Sequence, residues 1–129
     1  MANLTDAGES YLLKLIAGNF SAGSTGFDRI CLYGSTSGAA DSLLDSVQTI
    51  TWGFTAGNAS LYVLTPATLI FDIPANTVVK GVVFFNSTDG VTFGDEKAVY
   101  VLETSQTFTN SGTAEITSCT YNFDKIGSY

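Results

Sequence analysis

LIFDIPANTVVKGVVFFNSTD, running from Leu69 to Asp89, decides the fold. Its two runs are rich in Ile, Val and Phe and flank the turn Pro74-Ala75-Asn76-Thr77. Branched and aromatic side chains suit a pleated, half-buried surface, so both runs read as strands. In Leu69, Phe71 and Ile73 the apolar residues recur every second position, which puts one face in a core and Asp72 on the other. Val78-Val79 and then Val82 to Phe85 are apolar on both faces, the mark of a central strand covered twice. The two runs read together as a hairpin-like pair in the middle of an all-β sandwich or barrel. They carry no catalytic chemistry.

Working outward, turn signals recur every eight to twelve residues on the C-terminal side. Ser87-Thr88-Asp89-Gly90 is a strong turn, because Asp-Gly readily takes the positive φ angles of tight hairpins. Val91 to Phe93 reads as a short strand, Ala98 to Leu102 as a longer one, and Gln106 to Thr109 as another. After Asn110-Ser111-Gly112 the last strand covers Ala114 to Phe123, with Glu115 and Tyr121 on one face and Ile116 on the other. On the N-terminal side, Arg29 to Tyr33 and Val47 to Phe54 are strands, the second carrying Trp52. Gly34 to Ala40 reads as an exposed loop, followed by an acidic stretch from Asp41 to Asp45.

The one convincing helix lies at the start of the chain. Thr5 or Asp6 can cap its first turn, Asp6 and Glu9 have capping-box spacing, and Gly18 stands where a C-terminal cap belongs. Leu12, Leu15 and Ile16 form an apolar stripe at helical spacing, a candidate assembly surface. The expected organisation is a single domain over residues 1–129: a helix over 3–18, a β-sandwich over 27–123, and a short tail over 124–129. The fold class is mainly β, an antiparallel, jelly-roll-like sandwich of about eight short strands with one N-terminal α-helix.

Composition narrows the function classes. The chain has 129 residues and a formal net charge of −7, with only five Lys and Arg in total, which argues against a nucleic-acid footprint. There is no histidine, so the commonest general base and metal ligand is missing. Neither Gly23 to Gly26 nor Gly34 to Gly38 has the Lys and strand–loop–helix context of a phosphate loop. The N-terminus has no basic n-region of a signal peptide, and Tyr11 to Ala17, interrupted by Lys14, is too short to span a bilayer, so folding in a cytoplasm is expected, and no membrane partner. That compartment favours free, buried thiols at Cys31 and Cys119 over a disulfide.

Carboxylates are the remaining chemistry. Asp89, Asp95 and Glu96 cluster around one turn, where a pair could act as acid and base or several could hold Ca²⁺. Acidic hairpin loops are ubiquitous, and the solvated-loop reading is favoured, with no enzyme activity, cofactor or metal expected. Ser35, Asp41, Asp45, Asp89, Asp95 and Glu96 are instead candidate contact-loop residues. Trp52, Phe54 and Tyr62 could stack on a sugar, but aromatics in strands read first as core.

Leu4-Thr5-Asp6-Ala7-Gly8, the helix ending Ile16-Ala17-Gly18, Ile50-Thr51-Trp52-Gly53, the stretch from Ala67 to Val79, and Thr92-Phe93-Gly94 come in an order that resembles a family of small phage virion proteins known as tail-fibre or minor tail proteins. The resemblance covers most of the chain and departs from the pattern at Cys31-Leu32-Tyr33 and in the acidic loop Asp41 to Asp45. It implies a non-enzymatic virion component, tail-associated as a fibre, minor tail or adaptor protein. Such a protein would assemble as a symmetric homo-oligomer with other virion proteins as partners. A capsid decoration protein and a module binding a host-surface glycan are the alternatives.

Overall fold

In the computed structural model, the structure describes residues 2–8, 26–54, 60–65, 68–118 and 120–122. They form eleven strands in three antiparallel sheets: β1 (Ala2–Leu4), β2 (Arg29–Thr36), β3 (Ser42–Leu43), β4 (Gln48–Thr49), β5 (Thr51–Phe54), β6 (Ser60–Thr65), β7 (Leu69–Ile73), β8 (Thr77–Phe85), β9 (Ala98–Phe108), β10 (Gly112–Ile116) and β11 (Thr120–Asn122). The largest sheet runs β1-β9-β8-β2-β3, with β4 also on β2; β10 pairs with β7, and β11-β6-β5 make the third. The protein is a mainly β, antiparallel, sandwich-like fold.

The expected twice-covered strand is present. Ile30, Phe84 and Ala98 share one row across β2, β8 and β9, and Cys31, Val83 and Val99 share the next. Adjacent rows face opposite sides of a sheet, and Ile30, Cys31, Val83, Phe84 and Ala98 are all buried. The Trp52 ring lies 5.7 Å from that of Phe84, covering the sheet on that side. In β7 the alternation is complete: Leu69, Phe71 and Ile73 are buried, Ile70 and Asp72 exposed.

The hairpin-like pairing of Leu69 to Phe85 is corrected. The two strands do not pair: β7 bonds to β10, whereas β8 bonds to β2 and β9. The turn after Ile73 therefore carries the chain from one sheet into another, with Asn76 in the left-handed region at φ 55°. Each strand has an apolar face to bury, and two such faces satisfy each other across a core as well as side by side. The β9–β10 connection repeats the crossing, and the Asn76 N–H donates to the Thr109 carbonyl across the two turns.

Other boundaries move for similar reasons. Eleven strands stand among the described residues in place of about eight: two long runs break where they change partner, two others fuse, and β1 and β3 are added. Val47 to Phe54 divides at buried Ile50, β4 joining β2 and β5 joining β6. Ala114 to Phe123 divides at residues 117–118, β10 joining β7 and β11 joining β6. Ala98 to Leu102 and Gln106 to Thr109 fuse into the single strand β9, with residues 102–105 bulging out opposite Lys80. Val91 to Phe93 is not a strand but part of a turn-rich connection.

Gly34 to Thr36 belong to β2 and not to a loop. A Cβ at Gly34 would come within 1.9 Å of the Val78 carbonyl oxygen, so this glycine serves close packing of two strands. The helix does not begin at residue 3, since Ala2–Leu4 is a strand on β9. Residues 6–8 are helical, and Thr5 Oγ1 accepts from the Gly8 N–H at 3.1 Å as the N-cap. The rest of the expected helix, with Leu12, Leu15 and Ile16, lies outside the described residues, as do Cys119 and the 124–129 tail. Among the described residues, no helix is long and apolar enough to cross a membrane.

Candidate contact surface

The sequence-singled carboxylates are found holding their own loops. Asp41, the first residue of the acidic stretch, pairs with Lys80 Nζ of β8 at 2.7 Å. Asp89 pairs with Lys97 Nζ at 3.3 Å. Asp95 accepts from both the hydroxyl and the N–H of Thr92; those hydrogen bonds, the hydroxyl's first, hold its carboxyl below the usual carboxylate range. Both Glu96 oxygens accept from the Gly94 N–H at 2.9 Å. Ser35 donates to the Ala39 carbonyl at 2.6 Å, closing the turn after β2. Asp89, Asp95 and Glu96 do share one connection, between β8 and β9, and there they act as turn formers. Among the described residues, no group of three or more His, Cys, Asp or Glu side chains is placed to hold a metal ion.

Asp45 has a larger task. Its Oδ1 accepts from the Ser46 N–H and its Oδ2 from the Asp72 N–H, each at 2.7 Å. Its carbonyl accepts from the Cys31 thiol at 3.1 Å. Burial pushes the Cys31 thiol up from its ordinary value. Nearby, Gln48 Nε2 donates to the Ile70 carbonyl at 2.6 Å. The segment between β3 and β4 is thus stitched by side chains along the outer edge of β7.

A second polar knot ties the loop before β2 to the loop after β8. Asp28 Oδ1 accepts from the Ser87 N–H and Oδ2 from Arg29 Nη1, both at 2.8 Å, and from the Ser87 hydroxyl. Asn86, buried, donates to the Gly26 carbonyl and accepts from the Thr88 N–H. The Trp52 indole N–H donates to the Phe27 carbonyl at 2.6 Å. That bond and the tilted contact with the Phe84 ring engage Trp52 inside the fold, away from the role of a sugar platform. The side chains of Phe54, Tyr62 and Tyr121 lie outside the described residues.

Among the described residues, Ile70, Phe93 and Val101 are the large hydrophobics left open, at 52%, 45% and 57%. The Phe93 ring lies 6.1 Å from that of Tyr33. Gly81, between Tyr33 and Val101 in the same row, leaves room for the tyrosine ring.

Strand edges differ more sharply. The outer edge of β7 is covered by Asp45 and Gln48. The outer edge of β9 beyond Tyr100 is broken by the bulge at 102–105, an arrangement that blunts strand addition. The outer edge of β10 is five residues long, free of any register shift, and without a partner among the described residues. None of the sequence-singled positions lies on it. Alternation places Thr113 and Glu115 on the outer face, but an edge is a property of strand order, which no local pattern carries.

Comparison of the chain with protein-family models, with curated proteins and with solved structures found no match.

Proposed function

We propose that this protein is a non-enzymatic structural component of a bacteriophage particle, tail-associated as a fibre, minor tail or adaptor protein, and that it acts by binding copies of itself and other virion proteins. The observation that carries the reading is the contrast of edges in the β7–β10 sheet. One edge is sealed by Asp45 and Gln48, and the other has no backbone partner among the described residues. A two-stranded sheet gains little stability by itself and gains more when a further strand joins it. The carboxylates of the loops support the same reading. Asp41, Asp45, Asp89, Asp95 and Glu96 are all committed to ion pairs or turns, which suits a rigid scaffold with fixed loops. The assignment to a phage particle rests on the sequence resemblance.

Immunogold labelling of particles with antibody to this chain tests the reading. Gold on the tail supports it. Gold over the head assigns the chain to capsid decoration instead, and particles without label reject a virion role.

A further inference from the structure

We infer that the outer edge of β10 is the site where two copies of this chain join, by antiparallel pairing of β10 with β10 of the second copy about a two-fold axis at Ala114. The inference rests on the reading of the protein as a self-assembling component and names the surface and the register.

The direction of the backbone groups follows from β7. The Asp72 N–H and the Ile70 carbonyl both point away from β10, toward Asp45 and Gln48. In an antiparallel ladder the N–H and C=O of one residue point to the same edge, and the next residue's point to the other. Leu69, Phe71 and Ile73 therefore bond to their register partners Ile116, Ala114 and Gly112. The N–H and C=O groups of Thr113 and Glu115 point outward, with no partner among the described residues.

A second copy matches this edge in one register particularly well. With Ala114 opposite Ala114, each Thr113 stands opposite the Glu115 of the other copy, and four backbone hydrogen bonds form between these outward groups. Each Glu115 then lies beside a hydroxyl and not beside its own symmetry mate, so no like charges are opposed. On the inner face each half-buried Ile116 falls opposite Gly112, the position with no side chain. The alternative register that centres on Glu115 opposes two carboxylates. The result is a continuous four-stranded sheet, β7-β10-β10-β7, with the Asp45 and Gln48 stitches at both outer ends. A closed two-fold assembly of this kind uses the same patch on both copies.

Charge sets the conditions. The chain carries −7, and Arg29, Lys80 and Lys97 are each already in an ion pair within the chain. Two copies therefore repel at long range, and the joining surface must be poor in charge. From Gly112 to Ile116 there is only Glu115. Added salt should tighten the dimer by screening, whereas it would weaken the hold on a basic partner.

Sedimentation equilibrium of the full chain at low and high salt tests this. Twice the chain mass, favoured by salt, is expected for the wild type. Thr113→Pro removes an outward N–H and no intrachain ladder bond, so it should weaken the dimer at least about tenfold. Thr113→Glu opposes Glu115 of the other copy and should weaken it about tenfold without touching the fold, which decides the matter if the proline variant does not fold. Thr113→Lys should tighten it. A dimer unaffected by Thr113→Glu overturns the β10 pairing while leaving self-assembly in place. A wild type that stays monomeric at high salt and high concentration overturns the inference altogether, and particle labelling still judges the virion role independently.

Discussion

β7 and β10 are both five residues long, both alternate a buried or half-buried face with an exposed one, and they pair along their whole length. Their outer edges nevertheless have opposite characters. The difference does not lie in the strands. It lies in Asp45 and Gln48, which reach the β7 edge from 27 and 22 residues away in sequence. Whether a strand ends a sheet or invites another is therefore decided by distant side chains that satisfy its outward N–H and C=O groups. A carboxylate in a loop, which composition alone assigns to solvent, is here a substitute strand.

The largest effect should come from removing what both edges stand on. Phe71 is fully buried and is the central residue of β7. Phe71→Ala should cost about 3–5 kcal/mol in urea unfolding, since a large cavity opens in a packed core. A loss below 1 kcal/mol would mean the two-stranded sheet is not anchored through this face.

Next comes the seal itself. Asp45→Ala leaves the Asp72 N–H without its acceptor and should cost about 1–2 kcal/mol, the scale of a charge-assisted hydrogen bond at a partly exposed site. Amide exchange at Asp72 should accelerate about tenfold or more, whereas exchange at Phe71, bonded to β10, should change less. Equal acceleration at both would show that the stitch supports the whole sheet and not one edge.

A third experiment asks whether loop carboxylates at the other site act in the same manner. The Thr92 hydrogen bonds depress the Asp95 carboxyl, so the order they confer is fully present above its unfolded value and is lost as pH falls through the lower folded value. In Thr92→Val the hydroxyl is gone, and Asp95 should titrate closer to the ordinary aspartate range by carboxyl carbon NMR. An unchanged titration would assign the depression to the backbone N–H alone.

The smallest effect is expected on the bare edge. Thr113 is exposed, and its side chain makes no hydrogen bond among the described residues. Thr113→Ala should shift monomer stability by under about 0.5 kcal/mol. A larger loss would mean that the outward face of β10 already has a partner within the chain.

Phe71 and Phe85 could be placed from the sequence because alternation and double-sided apolar runs are local signals. The Thr5 cap and the turns after Ile73 and Phe85 were equally local, resting on capping and turn chemistry. The same signals misjudged Gly34, which looks like a loop residue until the carbonyl of Val78 is found against it. They also split β9 at a bulge that is visible only opposite Lys80. Asp41, Asp45, Asp89, Asp95 and Glu96 stand in loops or turns, where local polarity puts them, whereas Ser35 stands in β2; that these groups hold the turns is a matter of their partners, which no local pattern carries.

By itself, then, the sequence determined the β class, the buried faces of Leu69–Ile73 and Thr77–Phe85, and a chain without histidine, since periodicity and composition need no knowledge of neighbours. Only the tertiary structure decided that Leu69–Ile73 and Thr77–Phe85 lie in different sheets, that Asp45 closes one edge, and that β10 has no second neighbour among the described residues. Strand pairing is a choice among segments far apart in the chain, made by which arrangement buries the apolar faces and satisfies the most backbone groups at once.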